Sequence, residues 1–236
     1  MSNYQSRRVA EARHKRRVQM MIAAAAAVLV ILIIVLALQK NGTSFAYPDM
    51  EAVKVSEVPA DFDVANQPLL GDPNAPIQLV EFADYKCPSC KVWKEEVFNK
   101  LKEQYIDTGK MSFVYLDFSF LAEDSHLAAL AGETLYQQNP EYFWQYYELM
   151  NENQGSPKTE WANFDFIVDL VASHIDGVDL EQFKQDVIDH KYIANVKKDI
   201  EIGQKQGVRG TPTVFINGVL YEEPTFEQIQ QIVEGQ

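Results

Sequence analysis

A chain of 236 residues, 47% apolar and 11% aromatic, can bury a sizeable core and is too hydrophobic for global disorder. Its formal charge of −13 argues against nucleic acid and anionic lipid as partners. The imbalance sharpens beyond residue 38, where 15 Lys/Arg face 33 Asp/Glu, an acidity that serves solubility.

From Met20 to Leu38 every residue is apolar, with no Gly, Pro or charge in the run. At 1.5 Å per residue such a helix reaches roughly 28 Å, close to the hydrocarbon thickness of a bilayer. Ahead of it stand Arg7, Arg8, Arg13, Lys15, Arg16 and Arg17 against the single acid Glu11. That bias keeps residues 1–19 in the cytoplasm and sends the rest outward. The run therefore reads as a single-pass signal-anchor over 20–38. The competing reading is a signal peptide cut after Ser44-Phe45-Ala46, whose small residues have the right offsets. The run is longer than an ordinary signal-peptide core, which favours the anchor.

Residues 39–67 read as a tether and entry segment. Pro48 and Pro59 interrupt it, and Pro68, Pro73 and Pro76 follow closely. Ile77–Ala83 (IQLVEFA) is a short apolar run bounded by turn residues and suits a buried strand. Cys87-Pro88-Ser89-Cys90 comes next, followed by Trp93, Val97, Leu101 and Tyr105 at steps of four. That spacing predicts an apolar stripe along one helix, ended by Gly109. Met111–Phe118 reads as a second strand.

Residues 119–206 change to a helical period. Segments are expected around Leu127–Leu135, from Tyr142, and over Phe166–Ile175, Leu180–Ile188 and Ile193–Ile202. Thr213–Ile216 then returns to strand, Asn217-Gly218 signals a hairpin, and Val219–Tyr221 pairs back. Thr225 with Gln228 makes a capping box for a last helix carrying Phe226, Ile229, Ile232 and Val233. Removing the helical block leaves an α/β core over 68–118 and 207–236, with 119–206 as an all-helical insertion.

The chain has two cysteines, separated by two residues. An inert staple across so short a loop would stabilise little. Zinc would need four ligands, and the scattered His14, His126, His174 and His190 supply no pair, so no metal ligand is assigned. Redox use of the pair is the better reading. At a helix start, Cys87 meets unpaired N–H groups and the positive end of the dipole, both favouring thiolate. Pro88 suits the first turn because its missing N–H would have no partner there. Cys90, one turn on, can attack a mixed disulfide formed at Cys87. Cys87 is then the nucleophile and Cys90 the resolving thiol. The Ser89 hydroxyl either donates toward the Cys87 sulfur or faces water. Lys86 could favour the thiolate, but a flexible surface lysine is its default reading.

The stretch Pro68–Cys90 (PLLGDPNAPIQLVEFADYKCPSC) resembles the opening of DsbA-like thiol–disulfide oxidoreductases. Gly210-Thr211-Pro212-Thr213 with Ile216-Asn217-Gly218 resembles their later proline loop and hairpin. With the anchor and the acidic domain, the chain looks like the membrane-bound BdbD type of Gram-positive bacteria. The resemblance implies a thioredoxin-like fold with an inserted helical subdomain, preceded by one transmembrane helix. It implies a cis Thr211–Pro212 bond beside the cysteines, with Thr211 and Pro212 docking an extended substrate strand. It also places a buried carboxylate at Glu81, which could shuttle the Cys90 proton. The alternative for Glu81 is a solvated strand glutamate. Pro-Ser between the cysteines departs from the histidine-containing pattern of the most oxidising members, so the resemblance does not extend to their redox potential.

Three functions are weighed. In the first, a monomer on the extracytoplasmic face oxidises cysteine pairs of exported proteins and needs no cofactor. The resemblance implies recharging by a quinone-linked membrane oxidoreductase of the DsbB or BdbC type. In the second, the enzyme runs as a reductase or isomerase, although isomerases of this fold usually add a dimerisation domain. The third is an anchored binding or chaperone module with a structural disulfide. The aromatic run Tyr142–Tyr147 could line a substrate groove, but at helical spacing core packing is its default.

Overall fold

The computed structural model describes residues 45–235 together with 19–21 and 28–29. The expected span over 20–38 thus lies outside the described residues, apart from helical positions 20, 21, 28 and 29. Among the described residues no helix is long and apolar enough to cross a membrane. The sheet and its helices fall within Ala46–Gln236, the second of the chain's two units.

Five strands form one sheet: β1 (Leu69–Leu70), β2 (Ile77–Ala83), β3 (Met111–Asp117), β4 (Thr213–Ile216) and β5 (Val219–Glu222). Their spatial order is β1-β3-β2-β4-β5, with β2 and β3 parallel and the other pairs antiparallel. Central β2 and β3 are covered on both faces, so they read as near-continuous apolar runs without alternation. Edge strand β5 is mostly exposed.

The parallel β2–β3 pair requires a crossover, and the cysteine-bearing helix supplies it. It begins as α1 (Pro88–Trp93), passes a π-helical turn (Lys94–Phe98), continues as α2 (Asn99–Leu101) and ends in a second π turn (Lys102–Ile106). Trp93, Val97, Leu101 and Tyr105 are all buried, as the four-residue step predicts. Gly109 takes φ +73° just beyond the end, a left-handed backbone that favours glycine.

The insertion holds α3 (Glu123–Gln138), α4 (Pro140–Glu152), α5 (Phe164–His174), α6 (Leu180–Ile188) and α7 (Ile193–Lys205). Local chemistry starts α4, α5 and α6: the side chains of Asn139, Asn163 and Asp179 accept from the backbone N–H groups of Glu141, Phe166 and Gln182. Helix α3 is buried along most of its length, which its sequence signals by small residues such as Ala128, Ala129 and Ala131. Gly203 of α7 lets that helix meet the sheet, since a Cβ there would lie 2.7 Å from the Phe118 ring. The Asn217-Gly218 turn has φ of +49° and +81°, the hairpin geometry expected. Final helix α8 (Phe226–Glu234) carries the Thr225–Gln228 capping box.

Two side-chain expectations are settled here. Phe143, Tyr146 and Tyr147 are buried in the core, where Phe143 and Tyr147 pack with Tyr115, Tyr147 with Phe98 and Tyr146 with Tyr85, so the aromatic run is packing. Lys86 is not a flexible surface lysine: it is 1% exposed and paired with Asp124. An exposed neighbour of an active loop cannot be told by sequence from one that folds back under it.

Candidate active site

The site forms where β2 ends and α1 begins. Cys87 is the N-cap of α1 with an extended backbone (φ −76°, ψ 117°), and Pro88 occupies the first helical turn. This leaves the first helical N–H groups without helical partners, next to the Cys87 side chain. Cys87 and Cys90 are free thiols, 7% and 5% exposed, while Pro88 and Ser89 stand outward. The loop before the pair is tightly held. Cys87 N–H donates to the Asp84 carbonyl at 2.9 Å. The Asp84 carboxylate accepts from the backbone of Lys86, Phe120 and Leu121. Lys86 Nζ reaches Asp124 and the Thr159 carbonyl, so the loop is tied into the helical insertion.

The far loop closes on the same point. Thr211–Pro212 is a cis peptide, and the Thr211 carbonyl accepts from Cys87 Sγ at 3.3 Å. That carbonyl serves the thiol form, whereas the thiolate needs donors. These come first from the Cys90 thiol, then from the Thr211 side chain and the amides of Cys90 and Ser89. Against burial, they lower the Cys87 pKa from 9.0 to about 6. Cys90 moves the opposite way: burial, its bond to Cys87 and the nearby Cys87 and Glu81 charges raise it well above an ordinary thiol. Two thiols of one motif therefore have well-separated acidities.

Glu81 lies mid-strand in β2, opposite Tyr115 on one side and Val214 on the other. It is 1% exposed, and its Oε2 has no partner among the described residues. Burial, then the Cys87 charge, raises its pKa from 4.5 to about 8. The solvated-glutamate alternative does not hold. A carboxyl in this state is protonated near neutrality and sits close enough to both cysteines to sense their charge. It can exchange a proton with a departing or arriving thiolate.

Beside the cysteines opens a groove of about 460 Å³, lined by Pro88, Val92, Trp93, Pro212 and Phe226 among others. Trp93 Nε1 donates to the Pro224 carbonyl at 2.9 Å and fixes one wall. Val92 remains 50% exposed on its rim. The structure thus gathers Glu81, Cys87, Pro88, Ser89, Cys90, Thr211 and Pro212 at one end of the sheet.

A second cluster, at the end of β3, carries no signal in the sequence. Asp117, Glu133 and Asp199 are buried, and a carboxylate oxygen from each lies within 4.8 Å of the others. Gln67 Nε2 donates to Asp199 at 2.6 Å, and Asn195 Nδ2 to Glu133 at 2.9 Å. Burial raises all three acids, Glu133 to about 7. Oxygen donors so arranged are of the kind that hold hard cations. No spacing signal could have found them, because they come from β3, α3 and α7.

Comparison with known proteins agrees with this geometry. A family model described as "Thioredoxin" matches residues 63–235. "Probable disulfide bond formation protein D" of Bacillus cereus is 38% identical over 173 residues, covering 73% of this chain and 80% of the relative. "Disulfide bond formation protein D" of Bacillus subtilis is 33% identical over 172 residues, covering 72% and 77%. The crystal structure of oxidised BdbD from Bacillus subtilis superposes with TM-score 0.69 at 32% identity, covering 77% of this chain and 96% of that one. Chlamydia trachomatis DsbA superposes with TM-score 0.65 at 25% identity, covering 72% and 90%.

Proposed function

The chain belongs to the thioredoxin family and is a thiol–disulfide oxidoreductase; on that premise we propose that it works as an oxidase of exported proteins, tethered to the outer face of the cell membrane. The observation that carries the direction is the asymmetry of the pair: Cys87 is the helix-capping, acidic thiol, and Cys90 is buried and weakly acidic.

The exchange runs as follows in this reading. A substrate thiolate attacks Cys87 Sγ of the enzyme disulfide, forming a substrate–Cys87 bond and breaking the Cys87–Cys90 bond. Cys90 leaves as a thiolate of high basicity and takes a proton, for which buried Glu81 is the donor at hand. The substrate's second thiol loses its proton and attacks the substrate sulfur of the mixed disulfide. Cys87 then departs as a thiolate, the better leaving group of the two. Two electrons have passed from substrate to enzyme; Cys87 is left as the thiolate, and the proton lost by the second substrate thiol restores the carboxyl of Glu81, directly or through solvent, so the enzyme keeps one proton, on Cys90. Pro88 and Ser89 leave the approach to Cys87 open, and the Thr211 backbone with the groove beside Pro212 receives the substrate strand.

Recharging the dithiol requires an oxidant. The membrane tether over 20–38 would bring the domain beside a quinone-linked membrane oxidoreductase of the DsbB or BdbC type. The run of apolar residues, the preceding basic cluster and the acidity beyond support that location. Insulin reduction and oxidative refolding of a reduced substrate, each with wild type and Cys87→Ser, test the assignment. Refolding must be driven by the oxidised wild type and lost in the variant; reductase activity exceeding oxidase activity at matched concentrations would reverse the direction.

A further inference from the structure

We propose that Gln154, carried by the helical insertion, is a positioning residue for the cysteine nucleophile; the inference rests on the reading in which Cys87 is that nucleophile. The Gln154 side-chain nitrogen donates to the Tyr85 carbonyl at 2.8 Å and to the Cys87 carbonyl at 3.0 Å. Both hydrogens of one amide are thereby spent on the two residues that flank Lys86. The Cys87 carbonyl also accepts the first helical bond, from Lys91 N–H at 3.3 Å. Gln154 thus adds a second donor to the carbonyl that opens the helix.

Its own placement is fixed from several sides. Gln154 follows the end of α4 by two residues, and its N–H donates to the Asn151 carbonyl. Next to it, Gly155 passes flat against the Trp161 indole, where a Cβ would come within 2.7 Å of the ring. The amides of Trp161 and Ala162 donate to Asp124 Oδ2, while Asp124 Oδ1 holds Lys86, which also donates to the Thr159 carbonyl at 2.9 Å. The loop over 154–162 and the loop over 84–87 are therefore stitched at both ends of one circuit. Gln154 is the member of that circuit that touches the backbone of Cys87 itself.

The consequence for chemistry follows from geometry. The Cys87 ψ of 117° sets where the amides of Ser89 and Cys90 lie relative to Sγ. Those amides are donors to the thiolate. Without Gln154 the Cys87 carbonyl keeps only the longer bond from Lys91 N–H, and the peptide that sets the donors is held less firmly. The amide hydrogens also put positive potential on the carbonyl of the same residue that carries the sulfur. Both effects favour ionisation of Cys87, so Gln154 tunes the nucleophile from a subdomain outside the thioredoxin-like core.

The test uses Gln154→Met, of equal length with no donor, and Gln154→Glu, of equal shape with an acceptor facing two carbonyl oxygens. Ultraviolet titration of the thiolate and the pH profile of alkylation by iodoacetamide are read on the reduced full-length proteins, with denaturation midpoints alongside. The Met variant is expected to raise the Cys87 pKa by about half a unit, a roughly threefold loss of thiolate below the pKa. The Glu variant is expected to shift it further. Profiles that superimpose on wild type would overturn the inference, and a fall in midpoint alone would mark Gln154 as structural. Cys87→Ser is run in the refolding assay beside them. If that variant stays active, the nucleophile assignment fails, and the inference with it; if it is dead while the Gln154 profiles do not move, only the inference fails.

Discussion

The acidity of Cys87 has a thermodynamic consequence that separates the reduced from the oxidised protein, with pH as the perturbation. The folded pKa is lowered to about 6 against an ordinary 9.0. A depressed acid stabilises the fold above its unfolded pKa, and that stability is lost as pH falls through the folded pKa. The window is therefore pH 6 to 9. Linkage puts the contribution near zero at pH 5, about 1.4 kcal/mol at pH 7 and about 2.7 kcal/mol at pH 8. Solvent at the exposed edge of Cys87 screens these figures downward. The oxidised form has no thiolate and gains nothing from this term. The effect of burial on Glu81 is common to both forms and cancels in the difference, whereas the effect of the Cys87 charge on it belongs to the reduced form alone and offsets part of the gain. At pH 7 the term makes the disulfide more oxidising by about 30 mV. Paired urea denaturation of reduced and oxidised protein at pH 5, 7 and 8 measures it. The gap should move in favour of the reduced form as pH rises. A gap that stays flat, or moves the other way, refutes the reasoning and removes the main support for an oxidase.

Glu81→Gln should slow oxidation of the cysteine pair by roughly tenfold or more at neutral pH, read by stopped-flow tryptophan fluorescence. Because the folded Glu81 pKa is raised to about 8, wild type should lose stability relative to this variant as pH rises from 5 to 8. Rates and stabilities that match wild type throughout would leave Glu81 without a role. Lys86→Met leaves the Asp124 carboxylate buried without its cation and should cost about 3–5 kcal/mol in urea denaturation. A cost below about 1 kcal/mol would mean that the pair is hydrated in solution. For the tether, protease applied to intact protoplasts should release the folded domain from the membrane, whereas a mature N-terminus at Tyr47 in the medium would replace the anchor with a cleaved signal.

The chemistry of this protein was legible in local sequence wherever one element carries it. The Cys87–Cys90 spacing, Pro88 in the first turn and the apolar steps Trp93, Val97, Leu101 and Tyr105 all lie on one helix, where periodicity is set by backbone geometry. The Asn217-Gly218 hairpin and the Thr225 cap are equally local, being backbone and side-chain chemistry within four residues. The proximity of Thr211 to Cys87 came from resemblance to a family, since a separation of 124 residues carries no period.

What tertiary structure alone decided is which charges are buried. Lys86 and Asp124 look in sequence like ordinary surface residues, yet each is at most 2% exposed, and the burial of Glu81 was expected only from resemblance to a family. Gln154 and the Asp117–Glu133–Asp199 cluster are invisible in sequence for the same reason: their partners arrive from other elements. Hydrophobic pattern specifies which face turns inward, because burying apolar area dominates the energetics. It says nothing of a polar group carried inward with that face, whose cost is met only by partners the folded chain brings to it.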